Sequence, residues 1–537
     1  MKTLNKKNGS LLAILSALLL LAFVIKQQPQ NSYLQKILLA AEQFNKDYPQ
    51  QKVFFHFDKP SYTVGEKMWM KGYVVSLSSN KPDTMSTNLY VEMVNSRGAI
   101  IQTRLLRLAN GTAYGDFALP DTLPEGNYMI RAYTNWMRNF DQQYIYKRNF
   151  YIRNPENENF ITSAKLKFNR KYNKKIKNLG KEVDLQFYPE GGDMVTGLTS
   201  RIAFKAVNGL GKGIDITGIV TDKKGSQVAE LVSKHLGTGF FTITPSPNEK
   251  YKVIVKDPSG KKLTFKLPEQ VETGYVMKVD NQEKEIFITV NANVSDPERT
   301  VILTGLSRNK VYYSTVRKMD NGRLRLAIPK ENFPGGITVF TLFDNRGNPQ
   351  AERLVFLDNY QKMHVSLEPD KKLYSPRDKV NYTITVTDNQ GNPLKANLSL
   401  AVTDAGQVKD TEKSSENIVN YILLSSELRG TIEEPGYYFD TGNSDRKKAL
   451  DLLMMTQGWR RFSWEKILNN EFPAINYPVE DHIMVGGRIT REFFEIPLKH
   501  IPVQLTILTT YNDTYKTKSD DNGYFLFKDL VYYDTIS

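Results

Sequence analysis

Thr456-Gln-Gly-Trp-Arg-Arg-Phe-Ser-Trp464 is the run in this chain best suited to recognition. Trp459, Phe462 and Trp464 supply large aromatic anchors, and Arg460 and Arg461 stand among them. Protein interfaces bury aromatic and arginine side chains at their energetic centres. These five are the candidate partner-binding residues. The competing reading is that they dock a helix on the domain before it.

Residue types that could catalyse are sparse or wrongly spaced. There are five histidines, His56, His235, His364, His482 and His500. None forms an HExxH or an i,i+4 pair, so each reads as structural. There is no cysteine, which excludes disulfides, thiolate metal sites, cysteine nucleophiles and thioesters. "YPEGGD" (Tyr188 to Asp193) and "GLGKG" (Gly209 to Gly213) lack the ending of a phosphate loop and read as turns. Ser463 is not in a nucleophile elbow. Glu433 and Glu434 read as an exposed acidic loop, with a cation or a partner as the alternative. "SDDNG" at Ser519 lacks the downstream Glu of a calcium loop and reads as a turn. No catalytic residue, cofactor or metal is assigned, and the expected role is non-enzymatic.

Elements must position whatever does the binding, and 537 residues exceed one core. Single cores stop growing near ~250–300 residues, so three to five domains are expected. Hydrophobic residues make up 40% and aromatics 11%, a globular composition. The net charge of +14 reads as a soluble basic surface. Its one dense cluster, Arg170 to Lys177, lies between candidate domains and reads as a linker. No nucleic-acid module accompanies it, so no nucleic-acid partner is expected.

Lys2, Lys6 and Lys7 precede an apolar run from Leu11 to Ile25, with Lys26 after it. This predicts an export signal over residues 1–25. The run is short for a spanning helix, which needs ~20 residues. An uncleaved anchor is the alternative, because Ala22-Phe-Val-Ile25 makes a poor cleavage site.

Tyr33 to Tyr48 reads as an amphipathic helix with Leu34, Ile37, Leu38, Ala41 and Phe44 on one face. Short alternating or β-branched runs follow, among them "NLYVEMV" at Asn88, "RIAFKAV" at Arg201, "ITVFTLF" at Ile337 and "VNYTITVT" at Val380. Turn signals such as "DNRGN" at Asp344 and "DNQGN" at Asp388 separate them. Strands at this spacing without helices between them predict serial antiparallel β-sandwiches, a mainly β fold with a small helical insert near 415–470. In the insert, Ser415 is the expected cap of a helix to about Leu428. A second helix is expected from Asp445 to about Leu468, with Gly458 a possible interruption.

"FHFDKPSYTVGEK" (Phe55 to Lys67, with His56 and Asp58 inside it) reads as a strand leaving its sheet. Pro60 cannot join a central ladder, Tyr62 packs back with its hydroxyl on a backbone partner, and Gly65 makes a turn. "DKPSYTVGEKM" at Asp58 is echoed by "DKKLYSPRDKV" at Asp370, an offset of 312 residues. A second echo is "LPEGNYMIRAYT" against "FPGGITVFTLFD". Repeated units in series account for both.

The residues Asp58-Lys-Pro-x-Tyr-x-x-Gly-Glu66 resemble the opening of the macroglobulin domain of the alpha-2-macroglobulin family. "LPEGNYMIRAYT" is similar to its closing strands, and "LSLAVTD" (Leu398 to Asp404) to the strand that ends a later domain of that type. "TQGWRRFSW" and the stretch from Gly486 to Leu530 resemble large envelope proteins of Bacteroidetes-type bacteria. There a carboxypeptidase-regulatory-like domain, and often a TonB-dependent-receptor plug, follows.

These resemblances imply a division into a signal or anchor (1–25), a helix and linker (26–50), a macroglobulin-like sandwich (51–155) and a basic linker (156–180). A second sandwich (181–268), a third (269–360), a fourth with the helical insert (361–480) and an incomplete regulatory-like sandwich (481–537) follow. They imply an exported scaffold or binding protein of the periplasm or outer membrane, with an outer-membrane receptor or a protease as its protein partner. The N-terminal segment would touch the membrane if retained. The alternative is an endopeptidase inhibitor with 405–445 as an exposed bait-like segment. Without the Cys-Gly-Glu-Gln thioester it would not trap proteases covalently.

Overall fold

The computed structural model of the chain describes residues 32–155, 174, 176–257, 260–295, 299–406, 408, 415–458, 461–491, 495–508 and 513–530. The apolar run of the export segment and most of the basic cluster lie outside them.

The first sandwich contains β1 (Gln51–Phe57), β2 (Tyr62–Thr63), β3 (Lys67–Ser76), β4 (Asn88–Asn95), β5 (Ile100–Arg107), β6 (Thr112–Ala118), β7 (Gly126–Tyr133) and β8 (Tyr146–Arg153). One sheet runs β1-β3-β6 and the other β2-β8-β7-β4-β5. Period-two alternation places the core: Met68, Met70, Gly72 and Val74 of β3 are buried while Lys67 and Trp69 face out. They meet Val91, Met93 and Ile130 of the opposite sheet.

The second sandwich contains β9 (Asp184–Pro189), β10 (Ser200–Val207), β11 (Thr217–Thr221), β12 (Gln227–Val232), β13 (Thr238–Ile243), β14 (Lys252–Lys256) and β15 (Lys262–Lys266). The third contains β16 (Tyr275–Asn281), β17 (Glu285–Ala292), β18 (Thr300–Ser307), β19 (Lys310–Lys318), β20 (Arg323–Pro329), β21 (Gly336–Phe343) and β22 (Pro349–Leu357). Their sheets run β9-β10-β13 with β12-β11-β14-β15, and β16-β17-β20 with β19-β18-β21-β22. The first sandwich has the same order, with β2 added at one edge. The echo between "LPEGNYMIRAYT" and "FPGGITVFTLFD" falls on β7 and β21, which hold equivalent places.

β21 is buried at every position and β18 at nearly every one. Such strands lack a solvent face, so their sequence is continuous rather than alternating. The cover is helical. α1 (Ser32–Asp47) packs Ile37, Ala41 and Phe44 against Ile302 and Phe343. In the insert, α2 (Ile418–Leu423) is followed by α3 (Arg446–Thr456) and α4 (Trp464–Leu468). Ala449, Leu450 and Leu453 of α3 pack on Leu354 and Phe356.

The helices depart from expectation at their ends. The cap of α2 is Asn417, not Ser415: its side chain accepts from the amides of Val419 at 3.0 Å and Asn420 at 3.1 Å, and Asn420 reciprocates. The second expected helix is broken into α3 and α4, with Gly458 between them.

Residues 361–404 do not close into a sandwich. β23 (His364–Pro369) pairs with β24 (Tyr382–Thr387) in a two-stranded sheet. "LSLAVTD", strand-like in sequence, joins no sheet. At the C-terminal end β25 (Ile483–Arg488) pairs with β28 (Tyr524–Leu530), and β26 (Pro502–Ile507) with β27 (Asp513–Lys518). A small core of Ile507, Phe527 and Leu530 lies between them.

Candidate partner-binding surface

Trp459 and Arg460 lie outside the described residues. Arg461, Phe462 and Trp464 face inward. The Arg461 guanidinium donates to Gln50 Oε1 at 3.0 Å and to the Ser426 carbonyl at 2.5 Å, and stacks 4.1 Å from the Tyr144 ring centre. The Trp464 indole donates to Thr341 Oγ1 at 3.1 Å and meets Phe343 edge-on at 5.2 Å. Phe462 packs on Phe44 at 5.0 Å. Arg461, Phe462 and Trp464 therefore fasten the insert to α1, to the first sandwich and to the third. This is the docking role weighed against partner binding from sequence.

Glu427 is the centre of the same joint. It pairs with Lys52 of β1 and lies 3.4 Å from Arg461 Nε. The Lys52 ammonium also donates to the Ile422 carbonyl at 2.9 Å. Burial pulls Lys52 down to about 8, against the pull of Glu427. Two cations held around one carboxylate out of water are stable only as a set.

A second joint was not legible as such. Glu190, in the "PEGG" turn after β9, is 3% exposed. It accepts from Arg201 Nε at 2.5 Å, from Arg353 Nε at 3.0 Å and from the Val279 amide at 3.1 Å. Arg353 reaches on to Asp451 of α3 at 2.6 Å. One carboxylate thus ties the second sandwich to the third and, through Arg353, to the insert. Gly191 beside it has φ +86°, and a Cβ there would lie 2.8 Å from the Met277 carbonyl oxygen. A Glu-Gly-Gly turn between two strands was the only signal available.

The inter-helix loop is also docked. Glu433 accepts the Gly213 amide at 3.0 Å, and Tyr437 stacks on His235 at 4.0 Å. Tyr421, Ile422, Leu424, Leu428, Ile432 and Tyr438 are buried. Of the bait-like segment expected over 405–445, these residues are packed, while Arg429, Gly430, Thr431 and Glu434 stay exposed at its surface. Its apolar residues find cover on β22, β1 and the second sandwich.

What remains open is the unit at 361–404. The register Val365↔Val386, Leu367↔Ile384 and Pro369↔Tyr382 puts these side chains on one face, with Ser366, Glu368, Thr383 and Thr385 on the other. That apolar face is uncovered: Val365 is 54% exposed and Ile384 41%. In the extended segment beside it Leu400 is 57% and Val402 80% exposed. The segment is tethered to the first sandwich by polar contacts. Ser399 Oγ lies 2.8 Å from His56 Nδ1 and accepts the Tyr73 hydroxyl at 2.8 Å. Its apolar side chains stay free. Among the described residues no cluster of three His, Asp or Glu is arranged to hold a metal ion. No described helix is long and apolar enough to cross a membrane.

No family model matches the sequence, and no curated protein does. Solved structures give distant likenesses. Native alpha-2-macroglobulin of E. coli is 12% identical over 63% of this chain and 25% of its own, with a TM-score of 0.17. Dimeric latent PorU from Porphyromonas gingivalis is 12% identical over 58% of this chain and 34% of its own, at 0.26. A tetra-tandem repeat from a large adhesion protein is 12% identical over 64% of this chain and 89% of its own, at 0.18. The chain spans about a quarter of the length of the macroglobulin it matches. The serial-sandwich architecture rests on strand pairing within the chain itself.

Proposed function

We propose that the chain is a non-enzymatic scaffold of the bacterial envelope that presents a protein-binding surface. One observation carries this reading. Three sandwiches are locked together by buried ion clusters and a helical belt, while the fourth unit leaves its apolar face uncovered. Contiguous exposed apolar side chains rimmed by polar ones mark interaction sites. The partner proposed is a component of a TonB-dependent outer-membrane receptor system. Support for that partner comes from sequence order alone: "TQGWRRFSW" followed by the C-terminal strands.

The inhibitor reading is the weaker, because much of the stretch that would serve as bait is packed and only short parts such as Arg429 to Thr431 are exposed. A photo-crosslinking residue at Leu400 or Val402, followed by mass spectrometry of adducts in intact envelopes, tests the proposal. An adduct with a receptor component is expected. No adduct at either position would overturn it. Incubation with a protease panel addresses the inhibitor reading, which requires cleavage of the chain with loss of protease activity.

A further inference from the structure

The free edge of β24 has a template in the same chain. In each complete sandwich the middle strand of the small sheet is paired on both sides: β3 by β1 and β6, β10 by β9 and β13, β17 by β16 and β20. Every one of these pairings is antiparallel. β24 is the counterpart of β3 at the 312-residue offset. The Asp58 amide bonds to the Trp69 carbonyl at 3.2 Å and the Asp370 amide to the Asn381 carbonyl at 2.9 Å. β23 takes the place of β1, and among the described residues no strand takes the place of β6.

Alternation says which groups that edge offers. Asn381 faces β23, and Val386 accepts from the Leu394 amide on the far side. Tyr382 and Ile384 therefore direct their N–H and C=O groups outward. Their counterparts in the first sandwich are Met70 and Gly72, which pair with Gly115 and Ala113 of β6. Residues 381–385 are exposed. The strand, Tyr-Thr-Ile-Thr-Val-Thr, contains no lysine, proline or acid of the kind that guards natural edges.

We infer that the outer edge of β24 binds the same edge of a second copy of this chain, antiparallel about a two-fold axis. The inference rests on the scaffold reading and names one partner for its open unit. A two-fold pairing is antiparallel by symmetry, the direction β6, β13 and β20 all take. It is also complementary in charge. Arg377, Asp378 and Lys379 precede the strand, two cations against one anion for a net +1, and Asp388 follows it. The antiparallel arrangement brings the basic end of one copy to the acidic end of the other. Two hairpins then form one four-stranded sheet whose apolar faces are continuous.

Sedimentation velocity on the full chain over an about hundredfold concentration range tests this, read with amide hydrogen exchange at Tyr382 and Ile384. A monomer–dimer equilibrium is expected, with both amides becoming protected as the dimer forms. Ile384→Pro removes an outward donor while sparing the bonds to β23, and dissociation should rise at least about tenfold. Lys379→Asp is an exposed change with no cost to the fold. It should weaken the dimer several-fold at low salt and less at high salt. A chain that stays monomeric throughout overturns the inference, as does a dimer that leaves the Tyr382 and Ile384 amides unprotected or survives Ile384→Pro. A monomer that still gives receptor adducts at Leu400 leaves the scaffold reading standing.

Discussion

The Tyr62 hydroxyl donates to the Asp58 carboxylate at 2.6 Å, and the same carboxylate accepts the Trp69 amide at 3.0 Å. The hydroxyl also accepts the Lys59 amide at 3.3 Å, the backbone partner expected from sequence, and the carboxylate is a second partner that was not expected. At the 312-residue offset Asp370 accepts Tyr374 and, at 3.2 Å, the Asn381 amide. Glu66 closes the first turn by accepting the Thr63 amide at 2.8 Å, and Asp378 accepts the Ser375 amide at 2.9 Å. The stretch is a corner built twice, once inside a complete core and once in the open.

The two corners should respond differently to the same change. Tyr62 is 2% exposed, and Tyr62→Phe leaves part of a shielded carboxylate without a donor. A loss of about 1–2 kcal/mol is expected in urea unfolding. Tyr374→Phe, in water, should leave the midpoint unchanged. Equal effects at the two sites would refute the assignment of burial as the cause.

Removing the shared anion of the first joint should cost more than removing either cation. Glu427→Ala strands Lys52 and Arg461 together, with an expected loss of about 3–5 kcal/mol. Lys52→Met leaves Glu427 with Arg461 and should cost less. Chemical denaturation of both variants checks the order.

His235 gives the fold an acid limit. Burial holds its imidazole below the usual value, and the carboxylates of Glu434, Asp215 and Glu433 only partly offset this. The unfolded chain therefore takes up the proton first as pH falls. Its contribution is complete above the unfolded value of about 6.5 and is lost as pH drops from there toward the folded value. His235→Phe, which can keep the stack on Tyr437, should flatten the loss of stability as pH falls below about 6.5.

Belt and open unit should separate by readout. Trp464→Ala empties a packed site under Thr341 and Phe343 and should cost about 3–5 kcal/mol. Leu400→Asp, on an exposed side chain, should leave thermal unfolding unchanged while abolishing the receptor adduct. A binding defect in Trp464→Ala at temperatures where it stays folded would return the aromatic run to the partner surface.

Most strands, the repeat of the corner and the face of α1 were legible in the residues. Alternation and 3.6-residue periodicity are local consequences of backbone geometry. "ITVFTLF" was legible as a strand, but that it is covered on both faces came only from the structure. The destination of Arg461 and Trp464 was not legible, because an aromatic–arginine run looks the same whether a partner or another domain covers it. Glu190 gave no warning either: its partners Arg201, Val279 and Arg353 are brought to it by three separate elements. Nor did the sequence reveal that 361–404 stays open, since its strands alternate as well as those of a closed sandwich. By itself the sequence determined most of the segments that become strands, "LSLAVTD" being the exception, and which faces are apolar. Only the tertiary structure decided which of those faces are covered, because cover comes from residues far away along the chain.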